Sequence, residues 1–360
     1  LASSRSRRLA IFFGQAQYAR KFDELIDVGD GHYDVTAVCR GGVSLLEEYF
    51  GPASEETATF SKAHEDFAYH LQSKTEEIVK SLVRSHVEAT GVTNVALAGG
   101  VAMNCKLNRE LANLDCVDEL FVQPAANDSG ICLEAALEGH RLVTGEDPDI
   151  GLTELYYGPD YSRREIGDAL TDCKLSYERV DDICASVAEL LADGQVGGWF
   201  QGRMEYGARA LGNRSILANP RTAESVDRVN ETVKHRESWR PFAPSILFEA
   251  RDEYLVHADE APFMILLDSV HEHKRDEIPA VTHVDGTTRP QTVRKSVNER
   301  YYRLIEEFET LTGTPVVLNT SFNVAGEPIV ESPRQALADF YSTGLDFLAL
   351  GDYLLVKEGK

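Results

Sequence analysis

The chain has 360 residues, 43% of them hydrophobic, and a formal net charge of −23 from 59 acidic and 36 basic side chains. That length suits two domains with real cores, and the acidity argues against nucleic acid as a partner, because a phosphate backbone needs extended positive surface. No apolar run approaches the roughly 20 residues that span a bilayer. Arg5, Arg7 and Arg8 precede only the short run Leu9–Phe13, too brief for a signal core, so a cytoplasmic protein is the default expectation. The basic residues are 25 Arg and only 11 Lys. Excess carboxylate with little lysine keeps a surface hydrated in a salt-rich cytoplasm. A halophilic protein is one reading of it and a generic acidic protein the other.

Residues 1–22 carry no legible pattern. From Phe22 onward ELIDVGDGHYDVTAV reads as a hairpin turned by GDG. Thr59–Ala89 has a helical period, with Phe67, Leu71, Ile78, Leu82 and Val83 on one face. VTNVALAGGV is a short strand running into a glycine turn, Cys105–Leu114 a helix, CVDELFVQP a strand, and AANDSGICLEAALEGHRLV a turn and helix. This alternation is an α/β layer pattern. Residues 145–162, rich in Pro, Gly and Asp, read as a domain boundary separating 1–150 from 160–360.

Beyond it come a helix at Arg164–Leu170, a strand at Leu175–Val180, and a helix over 183–194, capped by Asp181 and ended by Gly194. VGGWFQG, FAPSILFEA, PFMILLDSV and TPVVLNTSF supply strands, and Val293–Leu311 and Pro333–Ser342 supply helices. Cysteines 39, 105, 116, 132, 173 and 184 form no CxxC pair, which favours buried reduced thiols over disulfides or zinc ligands.

One stretch concentrates cations in this acidic chain. GRMEYGARALGNRSILANPR, Gly202–Arg221, places Arg203, Arg209, Arg214 and Arg221 in a frame of glycines, and residues 203–240 hold eight basic and five acidic side chains. Guanidinium forks match phosphate or carboxylate oxygens in pairs. Gly202, Gly207 and Gly212 would let backbone approach a ligand. The plain alternative is a surface helix with scattered arginines.

Elsewhere, Gly99-Gly100 with Asn104 after a strand is either a phosphate-facing turn or an ordinary tight turn. Asp128 either projects from a sheet edge where ligands gather or caps the next helix. The Asn319-Thr320-Ser321 segment is either a ligand contact or a structural turn, and Arg289 before Pro290 either an anion contact or a solvated side chain.

GARALGNRSILANPR, VKHRESWRPFAPS (Val233–Ser245), TRPQTV (Thr288–Val293) and NTSFNVAGEPIVESP (Asn319–Pro333) resemble, in order, the carboxy-terminal half of the nodulation-protein and antibiotic-tailoring O-carbamoyltransferases. ALAGGVAMNCKLN (Ala96–Asn108) and QPAANDSG (Gln123–Gly130) resemble the nucleotide-binding core of the same family's first domain. The likeness covers about residues 25–356. It implies an α/β fold made of a partial actin/hexokinase-like (ASKHA) domain in 1–150 and a YrdC-like domain in 160–360. It also implies ATP, with Mg2+, and carbamoyl phosphate as ligands, and a small hydroxyl acceptor.

Position by position, the resemblance assigns Arg209, Lys234, Arg240, Arg289, Asn319 and Ser321 to a carbamoyl-phosphate and ATP pocket. It assigns Gly99, Gly100, Asn104 and Arg214 to nucleotide binding. Asp128 matches an aspartate that binds a metal, usually Fe2+, beside two histidines of an HxxxH motif. That motif and the first phosphate loop belong to a segment this sequence does not contain. His64 and His70 are six apart and His271-x-His273 falls in the other domain, so none substitutes by position. His235 and Trp239 read as packing and orienting groups.

The implied activity is carbamoyl adenylate formation and then transfer to a hydroxyl, with a homodimer admitted. The competing readings are threonylcarbamoyl-adenylate synthesis for tRNA and a nucleotide- or anion-binding fragment without transfer activity.

Overall fold

The computed structural model describes residues 18–35, 42–52, 61–148, 150–235 and 240–357. Its contacts divide into two compact units, one of residues 1–98 with 106–122, the other of 99–105 with 123–360.

In the first unit, helix α1 (Ala19–Leu25) leads into the hairpin β1 (Ile26–Gly29) and β2 (His32–Val35), turned at Asp30-Gly31. Helix α2 (Val43–Phe50) brings Phe50 against Phe22 and Phe67, with ring centroids 4.8 Å apart in both pairs. The long helix α3 (Lys62–Thr90) begins at Ser61 with a capping box and ends at Gly91 in the left-handed region. Its second half buries Val83, as the period predicts, and Val87; its first half buries Glu65, Asp66, His70, Lys74 and Glu76, and Leu71 is exposed. Lys74 is paired there with Asp23 at 2.6 Å and Glu77 at 2.6 Å, which is how a cation tolerates burial. Strand β3 (Asn94–Leu97) pairs in parallel with β4 (Glu119–Val122), and the intervening helix α4 (Cys105–Ala112) lays Leu107 and Leu111 on Val83 and Val87.

The second unit contains the turn at 99–105, helix α5 (Ile131–Thr144) and everything after it. Helix α6 (Arg163–Asp172) opens on a Ser162–Glu165 capping box. Then come β5 (Glu178–Arg179), α7 (Ile183–Ala192), β6 (Gly197–Phe200), β7 (Arg214–Ala218), α8 (Glu224–Val229) and a π-helical turn, Asn230–Lys234. They are followed by β8 (Ala243–Leu247), α9 (Arg251–Tyr254), β9 (Asp268–Ser269), β10 (Thr287–Thr288) and β11 (Gln291–Val293). The chain closes with α10 (Glu299–Thr312), β12 (Val316–Ser321), α11 (Pro333–Ser342), β13 (Phe347–Leu350) and β14 (Tyr353–Val356).

Eight of these strands form one mixed sheet in the order β11-β8-β12-β7-β6-β13-β14-β5. Strand side chains alternate between faces. Val316, Leu318, Leu348 and Leu350 enter one core with α6, α8 and α11, while Val317, Phe347 and Ala349 enter another with α7 and α10. A sheet covered on both faces reads as runs such as VVL and FLAL rather than as alternation.

Several sequence expectations change. Asp182, not Asp181, caps α7, its carboxylate accepting from Ala185 N–H. The stretch expected as helix from Val293 holds strand β11 first, and its helix starts only after Asn298, whose side chain accepts from Tyr301 N–H. PFMILLDSV yields only β9. By contacts, residues 145–162 group with the second unit, where Leu155 and Tyr156 pack with Leu211 and Phe263. Of the described cysteines only Cys184 is buried; Cys132 and Cys173 are exposed, and Cys39 lies outside the described residues.

A candidate anion and nucleotide site

The arginine stretch is a tightly held loop ahead of β7. Glu205, 3% exposed, turns its carboxylate inward, and Oε1 accepts from the N–H groups of Leu211 at 2.7 Å, Asn213 at 2.6 Å and Arg214 at 3.1 Å. Burial pushes this carboxyl above the usual range, and the three N–H donors oppose the shift.

The loop's carbonyls are taken as well. Leu211 O accepts from Tyr156 Oη at 2.9 Å and Gln291 Nε2 at 2.8 Å, and Gly212 O from Trp199 Nε1 at 2.8 Å and Gln201 Nε2 at 3.1 Å. Gly212 has φ of +102°, and a Cβ there would stand 2.2 Å from the Tyr301 ring. At Gly207 a Cβ would meet Ala125 at 3.3 Å. The glycine frame therefore serves loop packing, a correction to the expectation that it clears room for a ligand.

Arg214 is corrected in the same way. Expected at the nucleotide, it is fully buried; its guanidinium donates to the carbonyls of Gln201 at 2.6 Å, Asn213 at 2.9 Å and Pro159 at 3.2 Å and lies 3.6 Å from the Phe200 ring centre. Burial lowers its pKa to about 10, with Glu205 pulling the other way.

The Nε of Arg214 is buried without a partner among the described residues, but Arg214 lines neither of the site's two cavities, whereas Arg209 and Arg289 line one. Together with Asn319, Ser321, Phe242 and Met264 they line a cavity of about 110 Å³. Arg209 is pushed down to about 10, first by burial and then by the like charge of Arg289. The buried Nε of each arginine and the buried Oδ1 of Asn319 have no hydrogen-bond partner among the described residues. Two cations held together with spare donors, beside a spare acceptor, are what an anion carrying an N–H group would satisfy. Burial, with the charge of Arg289 adding and Asp285 opposing, lowers the His283 pKa to about 4.

A second cavity of about 470 Å³ is lined by Lys234, His235, Arg240, Ser321, Asn323 and the Val324–Gly326 turn. Ser321 borders both cavities. Lys234 Nζ donates to Ser321 O at 2.6 Å and to Asn323 O at 2.9 Å and Oδ1 at 2.7 Å. The π-helical turn delivers Lys234, and His235 follows in the left-handed region at φ +45°, facing this cavity rather than packing away from it. Buried Asp339 is raised to about 6 by burial, with Glu327 adding and Lys234 opposing. Sequence reasoning missed Asn323, although it stands two residues beyond Ser321 in the NTSFN block. Trp239 lies outside the described residues.

The remaining expected residues, Gly99, Gly100, Asn104 and Asp128, do not line these two cavities. Gly99, at φ +95°, spends its N–H on Ala126 O at 2.8 Å, and Gly100 opens a short 3-10 turn that ends at Asn104. Asp128 starts another such turn and is exposed. No group of three His, Cys, Asp or Glu side chains among the described residues is arranged to hold a metal ion, so the donors present do not fit the iron site that the resemblance implies. No helix among the described residues is long and apolar enough to cross a membrane.

Two family models match the chain, the carbamoyltransferase N-terminus over residues 42–137 and the carbamoyltransferase C-terminus over 188–357. Nodulation protein NolNO of Sinorhizobium fredii is 46% identical over 94% of this chain and 50% of its own length. Nodulation protein NolO of Bradyrhizobium diazoefficiens is 42% identical over 94% and 62%. The 3'-hydroxymethylcephem-O-carbamoyltransferase of Amycolatopsis lactamdurans is 36% identical over 71% and 47%. The chain thus spans about half to three-fifths of the length of these relatives. Among solved structures, HypF of T. kodakarensis aligns at a TM-score of 0.33 and 17% identity over 49% of this chain and 21% of that one, a likeness too low to argue from. The two models together span most of its length, and the chain belongs to the carbamoyltransferase family.

Proposed function

We propose that the second unit forms carbamoyl adenylate from carbamoyl phosphate and ATP, and that the complete enzyme passes the carbamoyl group to a hydroxyl of a small acceptor. The observation that carries this reading is the Arg209–Arg289–Asn319 cavity with its unpartnered donors and acceptor, joined at Ser321 to the larger Lys234–Arg240 cavity. The smaller space suits the carbamoyl phosphate dianion and the larger one a nucleotide bringing its own Mg2+. Adjacent polyanions need cations beside them; Arg209 lines the smaller space and Lys234 the larger, with the Ser321 hydroxyl bordering both.

In balanced form, water splits carbamoyl phosphate into carbamate and phosphate. A carbamate oxygen then bonds to the α-phosphorus of ATP while the bond to pyrophosphate breaks. The printed name of the cephem relative supports a hydroxyl acceptor. An actin/hexokinase-like origin for the first part and a YrdC-like one for 160–360 belong to the same proposal, as do Gly99, Gly100 and Asn104 beside a nucleotide.

The test is pyrophosphate release at high KCl from ATP with carbamoyl phosphate. The expected result is release that depends on carbamoyl phosphate and yields phosphate in equal amount. Release with threonine and bicarbonate instead would move the assignment to threonylcarbamoyl-adenylate chemistry. ATP binding without release in either arm would leave an anion-binding protein.

A further inference from the structure

Three buried side chains on adjacent strands fix the direction in which Asn319 faces. Strand β11 runs parallel to β8 with Gln291 opposite Ser245, and β12 pairs with β8 on its other side. Gln291, Ser245 and Asn319 are 3%, 0% and 1% exposed. Gln291 Nε2 donates to Leu211 O at 2.8 Å, and a carbonyl can only accept. The amide of Gln291 is thereby oriented, and its Oε1 is turned to accept from Ser245 Oγ at 2.7 Å and Asn319 Nδ2 at 3.1 Å.

Asn319 must therefore present its NH2 to this group. Nδ2 also lies 3.0 Å from Ser245 Oγ and 3.2 Å from Ala210 O, a second group that only accepts. Its carbonyl oxygen is left on the other side, buried and without a partner among the described residues, in a side chain that lines the Arg209–Arg289 cavity.

We infer that Gln291 and Ser245 are positioning residues that make the cavity select a donor bearing an NH2 group, by locking Asn319 with its carbonyl oxygen toward the ligand. The inference rests on carbamoyl phosphate being the donor. The two guanidiniums take any acyl phosphate; Asn319 Oδ1 asks for an N–H beside it. Acetyl phosphate is the discriminating ligand, since it replaces the NH2 by a methyl of similar size and leaves Oδ1 desolvated and unpaired. Without Gln291 and Ser245, only Ala210 O is left to hold the NH2 end in place, and the orientation is less firmly set.

Calorimetric titration of the full chain with carbamoyl phosphate, acetyl phosphate and inorganic phosphate tests this. The wild type should prefer carbamoyl over acetyl phosphate by about tenfold, the size of one unmet buried hydrogen bond. In Gln291→Leu the ratio should fall to roughly threefold or less, because one of the two groups that can only accept from Nδ2 is gone and Ala210 O alone opposes a turn of the amide. Ser245→Ala removes one hydroxyl and should give an intermediate ratio, and it serves alone if Gln291→Leu does not fold. A ratio unchanged in the variants would overturn the inference, and so would equal losses for both acyl phosphates, which mark a structural role. Carbamoyl-phosphate-dependent pyrophosphate release by the wild type is measured alongside. If it is present while the ratio ignores Gln291 and Ser245, only this inference falls; if it is absent and carbamoyl phosphate does not bind, the proposed function falls first.

Discussion

Arg209 and Arg289 share one small cavity, and burial together with the like charge of Arg289 lowers the pKa of Arg209. Like charges brought together in a partly dry space destabilise the empty protein and are relieved when an anion enters. Arg289→Met should therefore raise the melting temperature without ligand and abolish most of the rise that carbamoyl phosphate causes. By calorimetry the same change should weaken carbamoyl phosphate binding by about 1.5–3 kcal/mol, the range for a charged hydrogen bond. A melting temperature that falls without ligand, with binding intact, would assign Arg289 to packing. At this scale the sequence separated charge from its absence but not one arginine from another. Arg209 and Arg214 stand five apart in the same block; one lines a cavity, and the other gives its two terminal nitrogens to three carbonyls and lies against a phenyl ring. Nothing local in the sequence distinguishes them, because the acceptors of Arg214 come partly from Pro159 and Gln201, outside its own segment. Gln291 stood in a block read for its neighbour Arg289, and its role depends on strand pairing that a linear pattern does not contain.

The loop from Arg203 to Arg214 is shaped by one inward carboxylate. Glu205→Ala would leave three buried N–H groups unpaired and should cost about 3–5 kcal/mol of stability in urea unfolding. Glu205→Gln keeps an acceptor at the position of Oε1 and should cost roughly 1 kcal/mol, the scale of an ordinary net hydrogen bond. Equal losses in the two variants would mean that charge, not the three contacts, holds the loop. Elements with local signals were legible: α11 has Ser332 as its cap, Pro333 in its first turn and Gln335 closing the box. The β1–β2 hairpin announced itself by GDG. Strand β7 did not, because RSILA follows a glycine-rich loop and begins with a buried arginine. Strands β13 and β14, four-residue runs beyond the helix expected at Pro333–Ser342, also went unread. The apolar face expected along α3 holds at Phe67, which packs on Phe22 and Phe50, but not at Leu71, which is exposed while the neighbouring Lys74 is buried and paired.

Across the whole chain, the net charge of −23 makes self-repulsion a global term. Salt screens it over a Debye length of about 10 Å at 0.1 M and about 3 Å at 1 M. The melting temperature should rise continuously as KCl is raised through that range, and a plateau near 0.1 M would identify an ordinary acidic protein. The class of fold was legible at this scale, since alternating strand and helix patterns with runs of VVL type imply a covered sheet. The order of its strands was not. Sequence neighbours β11 and β12 are separated in the sheet by β8, and β13 joins β6 across nearly 150 residues of chain.

Strand β12 is enclosed by β8 and β7, and Asn319 sits on it with both neighbours in register. Its backbone can exchange its amide hydrogens only when the centre of the sheet opens, which sets them among the slowest in the domain. A lineage exploring new acyl donors through this position must spend folding stability at every step. Exposed turns such as Val324–Gly326 carry no such penalty. Donor choice in such an enzyme is therefore conservative by construction, and novelty has easier routes through the loops that rim the larger cavity.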